Sequence, residues 1–125
     1  MNIPSDLYYT KDHEWARIEE GIATIGITDY AQGELGDIVY VEKPPIGQTT
    51  TQFKPCGTIE AVKTVSDIYA PLSGEIVEVN DELEENPQII NQDPFGKGWL
   101  FKIKCSDPKE TDNLLKDNEY QKLIG

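Results

Sequence analysis

The sequence predicts a mainly β protein, a sandwich or flattened barrel with a short internal helix and a C-terminal helical segment. Three observations favour this fold class. Short apolar runs rich in β-branched residues recur along the chain, glycine and proline separate them, and helical signals are few and short. At 125 residues the chain is long enough for one core and too short for two of ordinary size, so we expect a single domain over residues 1–125.

Alternating apolar residues and the turn residues between them predict the individual strands. Residues 14–19 and 22–27 are expected to pair through a turn at Glu20–Gly21. Further strands are predicted at 37–42, covered on both faces, at 75–79, and at 99–104 with Trp99, Phe101 and Ile103 inward. The polar connector over 48–55 is either a loop or a short strand.

Helix signals are weaker and more local. Asp29 followed by Gln32 predicts a capped helix over 30–35 that ends at Gly36. Residues 81–98 predict a surface excursion with at most a helical turn at 82–85. Near the C-terminus we expect a capping box at Asp107, Pro108 and Glu110, a break near Asp117–Asn118, and an apolar stripe. The stripe consists of Leu114, Leu115, Tyr120 and Leu123.

The charge of the chain excludes two classes of partner. With 23 acidic and 11 basic residues the net charge is −12, which argues against binding to nucleic acid or to an anionic membrane. The same charge either keeps the protein soluble and monomeric or steers it toward basic surfaces on partner proteins. No signal peptide or transmembrane run is visible, and Cys56 and Cys105 suit neither a zinc site nor a disulfide scaffold. We therefore expect an intracellular protein with reduced thiols.

The residues offer little support for catalysis. His13 is the single histidine, and no nucleophile motif lies near it. One histidine cannot build a histidine-rich metal site, so no metal is expected. The glycines of Phe95–Gly98 lack the spacing of a phosphate-binding loop. The sequence predicts a protein without catalytic residues of its own.

Lys63 is the unusual residue of the chain. It lies inside Gly57–Asp67, a run whose β-branched residues by themselves predict one strand. Because a lysine ammonium is rarely buried unpaired, Lys63 either points to solvent or lies where the strand breaks. Local turn preferences do not predict a break at Val62–Lys63, since short hairpin loops favour Asn-Gly or Asp-Gly.

Several segments, in order, carry a resemblance to a known family. These segments are YTKDHEW at 9–15, ATIGITDYAQGELGDIVYVE at 23–42, IEAVKTVSD at 59–67, YAPLSGEIVEVN at 69–80 and GWLFKIK at 98–104. With them the chain resembles the H proteins of the glycine cleavage system, which are carriers with one lipoylated lysine. Val62 and Thr64 stand where biotinyl carriers usually have methionine, which favours lipoate.

The resemblance implies a fold and a set of site residues. The fold is the hybrid barrel-sandwich of lipoyl and biotinyl carriers, with Lys63 at a tight turn between strands 57–62 and 64–69. Lipoate would be attached covalently to Lys63. Glu60 and Gly74 match positions linked to recognition by the lipoylating enzyme. Glu14 and Asp67 match acidic positions of a cleft that receives the arm.

The resemblance also implies partners and a place of action. The arm would carry the aminomethyl group of decarboxylated glycine from glycine decarboxylase (P protein) to aminomethyltransferase (T protein). Dihydrolipoyl dehydrogenase (L protein) would reoxidise it. A lipoate ligase or a lipoyl/octanoyl transferase would attach the group. We expect a monomer in the cytoplasm, or in the mitochondrial matrix if the source is eukaryotic.

Two alternatives stay open. Tyr30, Gly33 and Glu34 depart from common family residues, as do Pro44–Pro45 and the segment around Cys56. These departures are compatible with an H-like carrier that serves another pathway or donates lipoyl groups to other proteins. The third alternative is a docking domain without a prosthetic group.

Overall fold

Two antiparallel sheets enclose one main core. The computed structural model describes residues 2–125. The larger sheet contains, in spatial order, β1 (Tyr8–Tyr9), β2 (Glu14–Glu19), β3 (Ile22–Ile27), β9 (Phe101–Cys105), β8 (Gly74–Val79) and β5 (Thr49–Thr50). The smaller sheet contains β4 (Ile38–Glu42), β6 (Pro55–Ala61) and β7 (Val65–Tyr69). The helices are α1 (Asp29–Leu35), α2 (Glu82–Glu85), α3 (Ile89–Gln92), a 3-10 helix (Pro108–Asn113) and α4 (Asp117–Ile124).

The β2–β3 hairpin has the predicted bounds and turn. Glu20 and Gly21 both have positive φ, 51° and 80°, which matches the twist of a two-residue hairpin turn. Ala23, Ile25 and Ile27 are buried along one face of β3, as the alternation predicted. The same face of β9 contributes Phe101 and Ile103 to the core between the sheets.

Helix α1 forms where it was predicted but with a different cap. The side chain of Thr28, not Asp29, accepts the hydrogen bond from the backbone N–H of Ala31 at 3.2 Å. Asp29 instead accepts from the Gln32 side chain at 2.8 Å. Gly36 ends the helix with φ 81°, a conformation that residues with a Cβ rarely adopt.

The prediction that β4 is covered on both faces is wrong. Val39 and Tyr40 are 45% and 54% exposed, whereas Ile38 and Val41 are buried. The pairing of β4 with β6 shifts between Ile38 and Tyr40, which turns two consecutive side chains outward. The outer face of the smaller sheet is therefore open to solvent.

The predicted surface excursion at 81–98 is wrong in part. The helical turn α2 is present, but Leu83 and Ile90 are buried in the main core, so the segment covers one end of it. Asn91 fixes this segment to the end of α1. Its side-chain amide donates to Gly36 O at 2.9 Å, and its carbonyl accepts from Ile38 N at 3.0 Å.

The C-terminal segment begins as predicted and then differs. Asp107 caps a 3-10 helix by accepting from Lys109 N at 3.0 Å. The predicted capping box is wrong, because the Glu110 carboxylate instead accepts from the backbone N–H and the hydroxyl of Ser73, at 2.8 and 2.7 Å. The break lies between the 3-10 helix and Asp117, where α4 begins. Of the predicted stripe, Leu114 and Tyr120 are buried and Leu123 is 51% exposed.

Candidate functional site

Lys63 lies at the tip of the β6–β7 hairpin. Propensity alone predicted one strand over this run, whereas the structure has two, β6 and β7, as the resemblance implied. Ala61 N donates to Thr64 O at 2.8 Å across the turn. Val62 N donates to Asp37 O at 3.0 Å, which fixes the turn to the connection between α1 and β4. Lys63 is exposed, and among residues 2–125 it has no carboxylate within ion-pair distance.

The side chain of Lys63 passes close to Gly36. A Cβ placed on Gly36 would lie 3.4 Å from Lys63 Cε and 4.0 Å from Nζ. The glycine that ends α1 thus leaves the flank of the lysine side chain uncrowded. Asn91 holds Gly36 through its carbonyl, so the surface beside the lysine is fixed by α3 as well as by α1.

Glu60 is on the outer face of the smaller sheet. It is exposed and pairs with Tyr40 on β4 and with Val65 on β7. These two residues and Glu60 form one row across the sheet, immediately below the turn that carries Lys63. The position is open to a protein that approaches the lysine.

Gly74 lies in the other sheet and is buried. It begins β8, and a Cβ there would collide with Lys104 O and lie 2.7 Å from Ile103 Cγ2 on β9. The close packing of β8 against β9 explains why this position is a glycine. It does not bring Gly74 into the turn of Lys63.

A small cavity lies beside the lysine hairpin. Its volume is about 120 Å³. It lies between β7, α1 and the segment before β2, and its lining includes Glu14 and Asp67, the two residues expected there. The other lining residues are Asp12, His13, Ile27, Ala31, Glu34, Leu35, Ile59 and Ser66. The fold thus places both acidic residues in one cleft beside the hairpin that carries Lys63.

Glu14 and Asp67 differ strongly in their surroundings. Asp67 is exposed, whereas Glu14 is 2% exposed. The Glu14 carboxyl accepts from the Thr10 hydroxyl and from Tyr69 N, the latter at 3.1 Å. Burial raises the pKa of Glu14 to about 8, and these hydrogen bonds oppose the shift without reversing it. Glu14 is therefore mostly protonated at neutral pH in the free protein.

A hydrogen-bonded group behind the cleft escaped the sequence reasoning. His13 Nδ1 lies 2.8 Å from the Tyr120 hydroxyl, which lies 2.8 Å from Thr28 Oγ1. Burial lowers the pKa of His13 below its ordinary value, while nearby Asp12 and Glu34 oppose the shift. No local signal predicts this contact, because His13 and Tyr120 are 107 residues apart.

Within residues 2–125 no group of three or more histidine, cysteine, aspartate or glutamate side chains is arranged to hold a metal ion. No helix in that range is both long and apolar enough to cross a membrane. Cys56 and Cys105 are both free, and burial raises the pKa of each thiol, to about 12 for Cys56.

Comparison with known proteins decides the family. The model of the glycine cleavage H-protein family matches residues 7–125. The chain is 51% identical to a glycine cleavage system H protein of Bacteroides thetaiotaomicron, over 100% of this chain and 99% of the relative. It is also 51% identical to the protein of that name from Geobacillus kaustophilus, over 100% and 98%. The chain belongs to the glycine cleavage H-protein family.

A solved structure gives the same result for the fold. The crystal structure of a glycine cleavage system H protein from Mycobacterium marinum superimposes with a TM-score of 0.89 at 40% identity. The match covers 98% of this chain and 99% of that one. The mainly β, hybrid barrel-sandwich fold is thereby confirmed. The H-protein family consists of lipoate-bearing carriers, so membership also supports lipoate as the cofactor.

Proposed function

We propose that residues 1–125 form one lipoyl-carrier domain that acts as the shuttle of the glycine cleavage system, with lipoate on Lys63. It would carry the aminomethyl group from P protein to T protein and be reoxidised by L protein. The observation that carries this proposal is an exposed lysine at the tip of a fixed hairpin, in a chain about half identical to H proteins over its whole length.

The setting of Lys63 fits an acylated lysine. The amine is exposed, has no ion pair to break among the described residues, and sits beside a glycine rather than a bulky side chain. The hydrogen bonds from Ala61 and Val62 hold the turn that presents it. A fixed point of display limits where the tethered group can go and raises its effective concentration at a partner's active site.

Lipoate would supply a disulfide that opens to accept the aminomethyl group on one sulfur, and reoxidation of the remaining dithiol by L protein would close it again. The residues of the cleft would bind the cargo and limit its contact with water. Asp67 offers an exposed carboxylate that can receive the cationic nitrogen of the cargo through a charge-assisted hydrogen bond. Glu14, held by Thr10 and Tyr69, forms the inner wall and limits the access of water.

The protein would contribute no catalytic residue of its own. His13, the single histidine, contacts Tyr120 through its Nδ1 atom and helps to fix the cleft wall. The P, T and L proteins would supply the catalytic residues for the reactions of the cargo. A lipoate ligase or a lipoyl/octanoyl transferase would attach the cofactor, with Glu60 as a contact and Gly74 as a residue required for packing. We further propose a monomer in the cytoplasm that binds neither nucleic acid nor membrane.

One observation favours a second candidate, an H-like carrier for another pathway or for lipoyl donation. Two of the departures from common family residues, Tyr30 and Glu34, lie at or beside the cleft. Glu34 lines it, and the Tyr30 ring packs at 4.9 Å from the ring of His13. These residues change the surface that a partner meets beside the arm.

The exchange of glycine carboxyl with labelled bicarbonate tests the main proposal. The lipoylated protein, with its mass verified, should support exchange by P protein well above the rate of P protein with the unlipoylated form. If the lipoylated protein and the unlipoylated control give the same exchange rate, the assignment to glycine cleavage is wrong. Lipoylation itself would then stand, and the second candidate would take its place.

A further inference from the structure

A chain of hydrogen bonds runs from the first turn of α1 to the wall of the cleft. The backbone N–H of Ala31 donates to Thr28 Oγ1 at 3.2 Å. Thr28 Oγ1 lies 2.8 Å from the hydroxyl oxygen of Tyr120, which lies 2.8 Å from Nδ1 of His13. Thr28 and Tyr120 are 1% and 0% exposed, so neither hydroxyl can exchange its partner for bulk water. We name the side chains of Thr28, Tyr120 and His13 the relay.

One direction of donation satisfies both buried hydroxyls of the relay. If Thr28 donates to Tyr120 and Tyr120 donates to His13 Nδ1, each hydroxyl accepts one hydrogen bond and donates one. In the reverse direction Thr28 Oγ1 accepts from both Tyr120 and Ala31, and its own proton has no acceptor among residues 2–125. A buried hydroxyl proton without an acceptor costs free energy, which favours the first direction. His13 Nδ1 therefore accepts, and the proton of the neutral imidazole is on Nε2.

Both partners of the hydrogen bond to His13 are held in place. Burial raises the pKa of the Tyr120 hydroxyl to about 12, so this group keeps the proton that it donates. The Tyr120 ring stacks on Tyr9 with ring centroids 4.8 Å apart. His13 has φ 72°, an uncommon value for a residue with a Cβ, and its carbonyl accepts from Thr28 N at 3.0 Å. The surrounding structure thus fixes the backbone of His13 as well as its ring.

The relay opposes a charge on His13 that nearby carboxylates favour. The acidic residues that line the cleft with it are Asp12 and Glu14 from the segment around His13, Glu34 from α1 and Asp67 from β7. The ring of Tyr30, also on α1, lies 4.9 Å from that of His13. Burial lowers the pKa of His13, whereas Asp12 and Glu34 oppose the shift. A proton on Nδ1 would reverse both hydroxyls of the relay and leave that of Thr28 without an acceptor, so the relay adds to the effect of burial.

We propose that Tyr120 is a positioning residue of the carrier, which keeps His13 uncharged in the cleft by donating its hydroxyl proton to Nδ1. This inference rests on the proposed function, in which the cleft receives a cationic nitrogen. A protonated His13 would place a like charge beside that nitrogen and would compete with it for the carboxylate of Asp67. The neutral ring leaves the carboxylates of the cleft to the cargo.

The tautomer of His13 in the wild type tests the direction of the relay without any substitution. His13 is the single histidine of the chain, so nitrogen NMR of the untagged, unlipoylated protein shows one pair of imidazole signals. At about pH 8 we expect Nδ1 to be unprotonated and Nε2 to be protonated. A protonated Nδ1 at this pH, or an equal mixture of the two tautomers, would overturn the proposal.

Two tyrosine variants test whether Tyr120 controls the charge of His13. Tyr120→Phe keeps the ring but removes the donor to Nδ1, so the midpoint of the His13 titration should rise by about one pH unit. Tyr9→Phe is the matched control, because Tyr9 is equally buried in the same stack and its hydroxyl donates to Pro4 O, outside the relay. It should keep the midpoint of the wild type. An unchanged midpoint in Tyr120→Phe, or an equal rise in Tyr9→Phe, would show that Tyr120 lacks this role.

The lifetime of the cargo connects the relay to the carrier function. Hydrolysis of the aminomethyl-loaded protein consumes one water and gives the thiol, formaldehyde and ammonia. At pH 6 loaded Tyr120→Phe should release these products about threefold faster than loaded wild type, and at pH 8 at the same rate, because the variant carries the extra charge only at the lower pH. Comparison at equal pH cancels the titration of Glu14, which both proteins share.

The outcomes separate the relay from the function. Equal release rates for Tyr120→Phe and the wild type at pH 6 would contradict the proposal. If the wild type gains no lipoyl group, or if its lipoylated form does not support exchange by P protein, the proposed function fails instead. The NMR measurements use the unlipoylated protein, so they decide the direction of the relay in either case.

Discussion

Glu14 is a buried carboxyl group in the wall of the cleft, and its protonation depends on the fold. Burial raises its pKa from about 4.5 to about 8. Between these values the folded protein binds a proton at Glu14 that the unfolded chain has released. The free energy of unfolding should therefore fall as the pH rises through this window, with the contribution of Glu14 fully present below about pH 4.5 and lost through about pH 8.

Glu14→Gln tests this linkage, because glutamine keeps a hydrogen-bond acceptor for Thr10 or Tyr69 and does not ionise. Between pH 5 and 8 we expect the wild type to lose about 10 °C more in Tm than the variant. Thermal unfolding followed by circular dichroism measures the difference. Glu85→Gln, a change at an exposed acid of α2, should keep the pH dependence of the wild type. Parallel pH profiles for the wild type and Glu14→Gln would contradict the buried, protonated state.

Glu14 and Lys63 show which properties of single residues could be predicted from the sequence and which could not. An acid at position 14 was identified as a cleft residue only through the family pattern, and its burial could not be predicted, since it depends on Tyr69, 55 positions away. Lys63 was predicted to be exposed or at a break because ammonium groups avoid burial. The turn itself was not predictable from Val62 and Lys63, whose types are poor matches for a tight hairpin.

At the scale of elements, the packing of β8 against β9 depends on Gly74. A Cβ at this position would collide with Lys104 O and with Ile103 Cγ2. Both atoms belong to a central strand that is paired on both sides, by β3 and by β8. The strand has little freedom to move away, so an added methyl group has to displace the start of β8.

Gly74→Ala should lower the free energy of unfolding by about 1–3 kcal/mol, the usual cost of forcing a methyl group into a packed site. Urea denaturation measures the change. Gly33→Ala is the matched control, because nothing lies within 4 Å of a Cβ at Gly33 in α1. There alanine should stabilise the helix by about 0.5–1 kcal/mol. A Gly74→Ala protein as stable as the wild type would show that β8 and β9 can accommodate the added methyl group.

Elements with local signals were predicted well, and those that depend on distant partners were not. The β2–β3 turn and the end of α1 follow from Gly21 and Gly36, which adopt positive φ. The exposure of Tyr40 required the shift in pairing between β4 and β6, which no local pattern marks. Glu110 was assigned to a capping box because its spacing fits one, but Ser73 offers two donors to the same carboxylate.

At the scale of the whole molecule, distant parts of the chain meet behind the site. Tyr120 of the C-terminal helix stacks on Tyr9 with ring centroids 4.8 Å apart and contacts both His13 and Thr28. The N-cap of α1 and the segment before β2 are thereby joined to the last helix. Many short strands separated by glycine and proline were enough to predict a β sandwich. The pairing of β3 with β9, whose partner residues are 76 to 82 positions apart, could not be predicted from local patterns.

The central claim is that this whole fold presents one lysine for modification. Intact mass of the protein co-expressed with a lipoate ligase tests it directly. The wild type should gain the mass of one lipoyl group, localised to the peptide that contains Lys63, and Lys63→Arg should gain none, since arginine keeps the charge but offers no acylable amine. A Lys63→Arg protein that still gained one lipoyl group, or a wild type modified at another lysine, would contradict the account.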